Sequence, residues 1–318
     1  MDFQHNKQAN KMKISKIFNK IRQRLGMIYD TNQNIKQLLF NQKKYTLEQY
    51  ILHDTTLGIS KEKYCNHDII VSLTTYSKRI HDVHLTIASI MEQTMKANRI
   101  VLWLDYSFKN QTLPQALHFL QKKGLEIKFC KDVRSYTKLI PSLKNFPDDA
   151  IITIDDDIIY DFDLLEKLIT AYIKDPSFIY CNRQHMMKKD KEGKLLPYRN
   201  WTWASSDDKA NILNFPTGVG GILYPPHSLD QEVFNESVFL DICKYADDVW
   251  FKAMAMKKGT LSRKVYTHSN TSTDYIEIDN VQDIGLRNVN TLGEELNDKQ
   301  IKAVFNKYNL YPLLNQCL

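Results

Sequence analysis

The chain has 318 residues, 43 % of them hydrophobic, enough apolar material for one large core or two smaller ones. Its five cysteines (Cys65, Cys130, Cys181, Cys243 and Cys317) stand singly with no CxxC pair, which argues against a disulfide framework or a thiolate metal site and points to a reducing, cytoplasmic compartment. The net charge of +6 is carried entirely by residues 1–24, where Lys7, Lys11, Lys13, Lys16, Lys20, Arg22 and Arg24 face Asp2 alone; the balanced remainder excludes a nucleic-acid-binding body.

In that basic segment Ile14, Ile17, Phe18, Ile21 and Leu25 form one apolar stripe at helical spacing. Such a helix over residues 12–25 either lies on an anionic membrane surface, as a peripheral contact at the inner face of the cytoplasmic membrane, or packs on the body with its basic face in water. No run of about 18 apolar residues exists to cross a bilayer, and the polar N-terminus lacks the apolar core of a secretory signal. Tyr29 to Lys63 is rich in Asn, Gln and Lys and reads as one or two further helices, so residues 1–66 form a helical N-terminal extension.

From His67 the pattern becomes regular. Ile69–Leu73 reads as a strand ending in Thr74-Thr75-Tyr76-Ser77-Lys78-Arg79, and a helix carrying Val83, Ile87, Ile90 and Met91 on one face follows. Arg99–Leu104 is a second strand closed by Asp105; a helix marked by Leu113, Ala116, Leu117 and Leu120 ends at Gly124, and Leu125–Cys130 is a third strand. A short helix with Pro141 near its start precedes the strand Ala150–Ile154. Four alternations of strand and helix imply an α/β domain with a mostly parallel sheet covered on both faces and its strand ends gathered along one edge. The absence of a Pro/Gly/Ser linker makes residues 67–273 one domain. Residues 274–318, with a helix near Glu294–Tyr308, form a C-terminal helical cover.

The strand at Ala150 ends in Asp155-Asp156-Asp157. Three adjacent carboxylates repel one another and resist burial, so they belong in water or against a cation. At the carboxyl end of a strand in an open α/β sheet, where ligands bind, they read as a site for Mg²⁺ or Mn²⁺ rather than Zn²⁺. Asp247 and Asp248 open a helix that closes at Gly259; the helix dipole favours both carboxylates and keeps them ionised. Phe215-Pro216-Thr217-Gly218-Val219-Gly220-Gly221 leads into a strand-like, proline-blocked segment and not a helix, which excludes a dinucleotide-phosphate cradle. Trp201 and Trp203 share a face if their segment is extended, as a platform for an apolar sugar face or as part of the core.

A Rossmann-like first half ending in a DxD-type motif, a Gly-rich turn, an acidic pair opening a helix and a late His resemble the GT-A fold of nucleotide-sugar-dependent glycosyltransferases, in particular the family-2-like bacterial enzymes that build surface polysaccharides. The resemblance covers residues 67–270. It implies transfer of a sugar from a nucleotide-diphosphate donor, most often a UDP-sugar, to a hydroxyl of a glycan or lipid-linked acceptor, with inversion. It further implies Asp155, Asp157 and His268 around the Mn²⁺ or Mg²⁺, and Asp156 reaching ribose or sugar hydroxyls. Asp248 becomes the general base and Asp247 a positioning residue. Thr74, Thr75, Tyr76, Arg79, Asp105 and Lys138 become donor contacts, with Asp155 shared between metal and ribose and with Arg183 and His185 as weaker candidates. Gly220 and Gly221 become the turn that admits donor sugar and acceptor, beside Trp201 and Trp203. Two other classes remain open: a metal-dependent phosphoesterase or nucleotide-sugar hydrolase, and a glycan-binding relative without catalysis.

Overall fold

The computed structural model describes residues 2–266, 275–278 and 296–315, with the backbone alone for residues 2–19 and 21. The chain divides into two compact units, residues 1–48 and 49–318. The first is a single helix: α1 (Asp2–His53) runs through it without a break and its last turns belong to the second unit. Where the composition suggested separate helices after the basic segment, one continuous helix stands. Among the described residues no helix is long and apolar enough to cross a membrane.

In the second unit β1 (Ile69–Thr74), α2 (Val83–Met91), β2 (Arg99–Asp105), α3 (Gln115–Lys122), β3 (Leu125–Cys130), α4 (Ile140–Asn145) and β4 (Ala150–Thr153) alternate as the apolar runs imply. There follow β5 (Ile158–Tyr160), α5 (Leu164–Lys174), β6 (Ile179–Cys181), β7 (Gln184–Met186), β8 (Asn214–Pro216), β9 (Ile222–Tyr224), α6 (Glu236–Ile242), α7 (Asp247–Lys258), β10 (Ser262–Lys264), β11 (Tyr275–Glu277) and α8 (Leu296–Lys307). Strands β1, β2 and β4 are buried almost throughout because both faces of the sheet carry helices, which is why they read as unbroken Ile, Val and Leu.

The central sheet has the order β10-β6-β9-β4-β1-β2-β3. It is parallel except at β9, which runs against both β4 and β6. The expected mostly parallel α/β sheet flanked by helices is therefore present, with one reversal that decides where the glycine turn goes. Because Ile222 pairs with both Thr153 and Cys181, the turn that enters β9 lies at the edge where β4 delivers its carboxylates. A parallel β9 would have sent that turn to the opposite edge.

Helix α7 is buried along most of its length. Trp250 packs at 5.7 Å from both Phe239 and Tyr308 and donates its indole N–H to the Val233 carbonyl. Gly259 ends the helix in the left-handed region at φ +84°, a conformation that costs glycine little. This clamped helix carries Asp247 and Asp248 in its first turn.

Candidate active site

The backbone of the three carboxylates is pinned from several sides. Thr86 Oγ1 on α2 donates to the Asp156 carbonyl at 3.0 Å, the Asp155 amide donates to Tyr160 OH at 3.0 Å, and the Ile278 amide donates to the Asp157 carbonyl at 2.8 Å. Arg79 meets two of the side chains, with Nη1 at 2.6 Å from Asp156 and Nη2 at 3.0 Å from Asp157, all three nearly buried. Arg79, expected near the donor phosphates, is the counter-charge to two of the three consecutive aspartates at this strand end; burial opposes its charge, yet the two carboxylates hold its pKa above the usual arginine value.

The third carboxylate, Asp155, faces another cation. Lys138 Nζ lies 2.9 Å from Asp155 Oδ1 and 3.0 Å from Asp247 Oδ2, so one ammonium joins the end of β4 to the start of α7. Its own position is over-determined: Ser72 Oγ on β1 donates to the Lys138 carbonyl at 2.6 Å, and Tyr136 OH, stacked at 4.1 Å on Phe239, donates to the Cys243 carbonyl just ahead of α7. Although burial works against its charge, Asp155, Asp247 and Asp248 raise the Lys138 pKa well above the ordinary value, so it stays an ammonium.

Gly218 closes the arrangement. Its amide donates to Asp248 Oδ2 at 3.1 Å, and a Cβ on it would stand 2.6 Å from Lys138 Nζ, 3.2 Å from Asp155 Oδ1 and 3.3 Å from Asp248 Oδ1. Both carboxylates thus come within van der Waals reach of one point, and they lie within the width of a sugar ring of each other. A side chain at this position would push the ammonium away from its two carboxylates. Reading the sequence singled out Gly220 and Gly221 in this run and passed over Gly218, and nothing local marks it. Gly220 is tight against Arg183, where a Cβ would meet its Cβ at 2.5 Å, and Gly221 turns the chain at φ +78°.

Electrostatically, Asp248 departs from the expectation that both residues of the pair stay ionised. Burial and the neighbouring Asp247 push its pKa up to about 7. A carboxylate tuned to neutrality is a better proton acceptor for a hydroxyl than an ordinary aspartate, provided the pH keeps it ionised.

The other expected residues spread along the same edge. Thr74 Oγ1 donates to the Trp103 carbonyl at 2.9 Å, Thr75 is buried, and Tyr76 is exposed with the Arg79 guanidinium 5.3 Å above its ring. Asp105 caps the turn after β2 by accepting from the Ser107 amide at 2.7 Å. Trp201 is in the core, its indole N–H bonded to the Leu196 carbonyl, whereas Trp203 is 45 % exposed and rests 4.6 Å from the His185 ring; both indoles meet the Tyr198 ring, at 4.9 and 5.4 Å. Between them Thr202 forms an antiparallel bridge to Met186, exchanging both backbone hydrogen bonds at 2.9 and 3.0 Å. His185 itself is buried, and burial with Arg183 nearby depresses its pKa to about 3, leaving it neutral. His268 lies outside the described residues.

Behind Asp248, Lys252 faces a small cavity lined also by Tyr224, Pro216 and Ser262. Its Nζ has no hydrogen-bond partner among the described residues, and burial lowers its pKa to about 7. An amine with a depressed native pKa binds its proton more tightly in the unfolded chain, so stability falls as pH drops from the usual lysine range towards 7 and the full penalty persists below. Lys252→Met is therefore expected to raise Tm at neutral pH by roughly 5 °C, equivalent to about 2 kcal/mol, with a smaller gain at pH 10. Calorimetry showing no gain at pH 7 would mean that the nitrogen is satisfied.

Among the described residues no group of three or more His, Cys, Asp or Glu is placed to hold a metal ion. Asp155, the most open of the three carboxylates, and Asp157 are hard oxygen donors at the end of β4, each already paired with a cation of the chain. They fit Mg²⁺ or Mn²⁺ in sites where one or two carboxylates share the ion with substrate phosphates.

Residues 68–236, just over half of the chain, match the family model described as Glycosyl transferase family 2. Among solved structures, the chain is similar to CMP:2-keto-3-deoxy-manno-octonic acid synthetase complexed with CTP, at 13 % identity over 63 % of this chain and 89 % of that one, with a TM-score of 0.37. The curated proteins contain no match.

Proposed function

The chain belongs to glycosyl transferase family 2, and on that premise we propose that it moves a sugar from a nucleotide-diphosphate donor to a hydroxyl of a glycan or lipid-linked acceptor by a single inverting displacement. The observation that carries this reading is the bridge through Lys138, which draws the β4 carboxylates and the acidic start of α7 into one cleft. In this scheme Asp248, held by the Gly218 amide, takes the proton of the acceptor hydroxyl. The hydroxyl oxygen forms the new bond to the anomeric carbon, and the bond to the diphosphate breaks with its electron pair going to the nucleotide. Asp247, fixed by Lys138, orients the acceptor. Lys138 stands ready to offset negative charge as the diphosphate departs.

Asp155 and Asp157 would hold the Mn²⁺ or Mg²⁺; when bound, the cation supplies Lewis-acid stabilisation of the leaving diphosphate. Arg79, 3.0 Å from Asp157, would fix the direction of that carboxylate for the cation. Trp203 is the exposed aromatic surface suited to an acceptor sugar.

Differential scanning fluorimetry with a panel of nucleotide-diphosphate sugars tests the donor site. The true donor at about a hundred times its Kd should stabilise the protein by about 2.7 kcal/mol, a rise of roughly 5–10 °C, only when Mn²⁺ or Mg²⁺ is present. Asp157→Asn should lose that rise. A full response in Asp157→Asn would remove the metal assignment, and turnover of the donor to free sugar at a rate indifferent to acceptor would favour a hydrolase.

A further inference from the structure

The first unit is one helix with nothing of its own to bury a side chain against, yet it presents Leu25, Ile28, Tyr29, Ile35, Leu38 and Leu39 at 48–67 % exposure. Within this apolar face runs a stricter repeat, which Tyr29 and Leu38 flank. Positions 14, 18, 21, 25, 28, 32, 35 and 39 read Ile, Phe, Ile, Leu, Ile, Asn, Ile, Leu. The intervals alternate strictly between four and three, a 3.5-residue repeat with Ile at each d position and Phe, Leu, Asn and Leu at successive a positions. The same helix carries the pattern through four repeats without proline.

We propose that α1 is a coiled-coil helix that pairs in parallel and in register with α1 of a second copy of this chain. Asn32 selects this occupant. In a parallel, in-register pair Asn32 lies against Asn32 of the other copy, where two amides satisfy each other; in an antiparallel pair centred on the repeat it would lie against Ile21. A lone Asn at an a position fixes register in this way at some cost in stability. On a lipid surface the same amide would sit in the apolar stripe without a partner, and a lipid surface imposes no 3.5-residue period.

Size and charge agree with a second copy. Burying the six exposed residues named above from each of two helices, at roughly 100 Å² apiece, removes about 1,200 Å² from water, the lower bound of specific protein interfaces, before the N-terminal repeats are counted. Over residues 25–45 Asp30, Lys36, Lys43 and Lys44 lie outside the a and d positions, so no charge is buried in the seam there. The basic cluster that would favour anionic lipid stops at Arg24, whereas the heptads continue to Leu39.

Analytical ultracentrifugation of the full chain tests the proposal. The wild-type protein is expected to sediment as a dimer at micromolar concentration; a trimer or tetramer, towards which Leu at a with Ile at d shifts the preference, would overturn the pairing of two helices. The double variant Ile28→Asp/Ile35→Asp should fall to the monomer mass, and the f-position control Gln23→Asp/Gln37→Asp should not. Asn32→Leu should associate more tightly and lose its single stoichiometry, a gain that cannot come from a misfolded helix. A monomeric wild type overturns the proposal, as does an oligomer unmoved by both the Asp pair and Asn32→Leu. A monomer that floats with anionic vesicles through Ile28 and Ile35 would assign the stripe to a membrane instead.

Discussion

Asp248→Asn is expected to lower kcat for sugar transfer by about a thousandfold, the middle of the range for removal of a general base, while leaving the cation-dependent donor response intact. The amide keeps the shape and can still accept from the Gly218 N–H, so the loss reports on proton transfer and not on collapse of the turn. The pH profile adds a second readout. With the Asp248 pKa raised to about 7 by burial and Asp247, wild-type activity should fall about tenfold per unit below that pH and level off above it, because only the ionised form accepts a proton. The residual activity of the variant should lack this limb. The sign for stability is opposite: a carboxyl whose native pKa lies above its unfolded value loses stability as pH rises from about 4 to about 7, so Asp248→Asn should melt higher than wild type by the full margin at pH 8, by a smaller margin at pH 5, and show little difference only near pH 3. Transfer within tenfold of wild type would mean that another group takes the proton.

Lys138→Met should destabilise the protein by roughly 3–5 kcal/mol, lowering Tm on the order of 10 °C, and abolish transfer. The methionine fills the same space, so no cavity opens. What is lost is the ammonium 2.9 Å from Asp155 and 3.0 Å from Asp247, and both carboxylates are then left facing Asp248 with no cation between them. Removing one partner of a buried ion pair costs more than the pair contributes, because the orphaned charge remains desolvated. The diagnostic is rescue: Lys138→Met/Asp247→Asn should recover a large part of the lost Tm without recovering activity. If the single variant melts with wild type, the bridge is not formed in solution, and the observation on which the proposed mechanism rests is gone.

The repeating part of the fold was legible because its signals are local. The Ile, Val and Leu runs at Ile69, Arg99, Leu125 and Ala150 announce buried parallel strands, and Gly259 after Lys257-Lys258 announces the end of α7. Legibility fails where a residue's surroundings come from far along the chain. Arg79 follows a strand end in the sequence, and its carboxylate partners Asp156 and Asp157 come 77 and 78 positions later. Trp201 and Trp203 are equivalent in the sequence, yet one is buried and the other 45 % exposed although both meet Tyr198. Gly218 was one glycine of three until α7 and Lys138 came to rest against it.

By itself, the sequence determined the class of the fold, the placement of three carboxylates at a strand end and of two more at a helix start, and the family to which the chain belongs. Periodicity, capping and turn chemistry act over a few residues, so they can be read in order along the chain. The tertiary structure alone decided that β9 runs backwards, that the glycine turn therefore meets the β4 carboxylates, and that Lys138 joins Asp155 to Asp247. Strand direction and ion pairing depend on which distant segments pack together, and the energy that selects them is shared across the whole core and written in no single stretch of it.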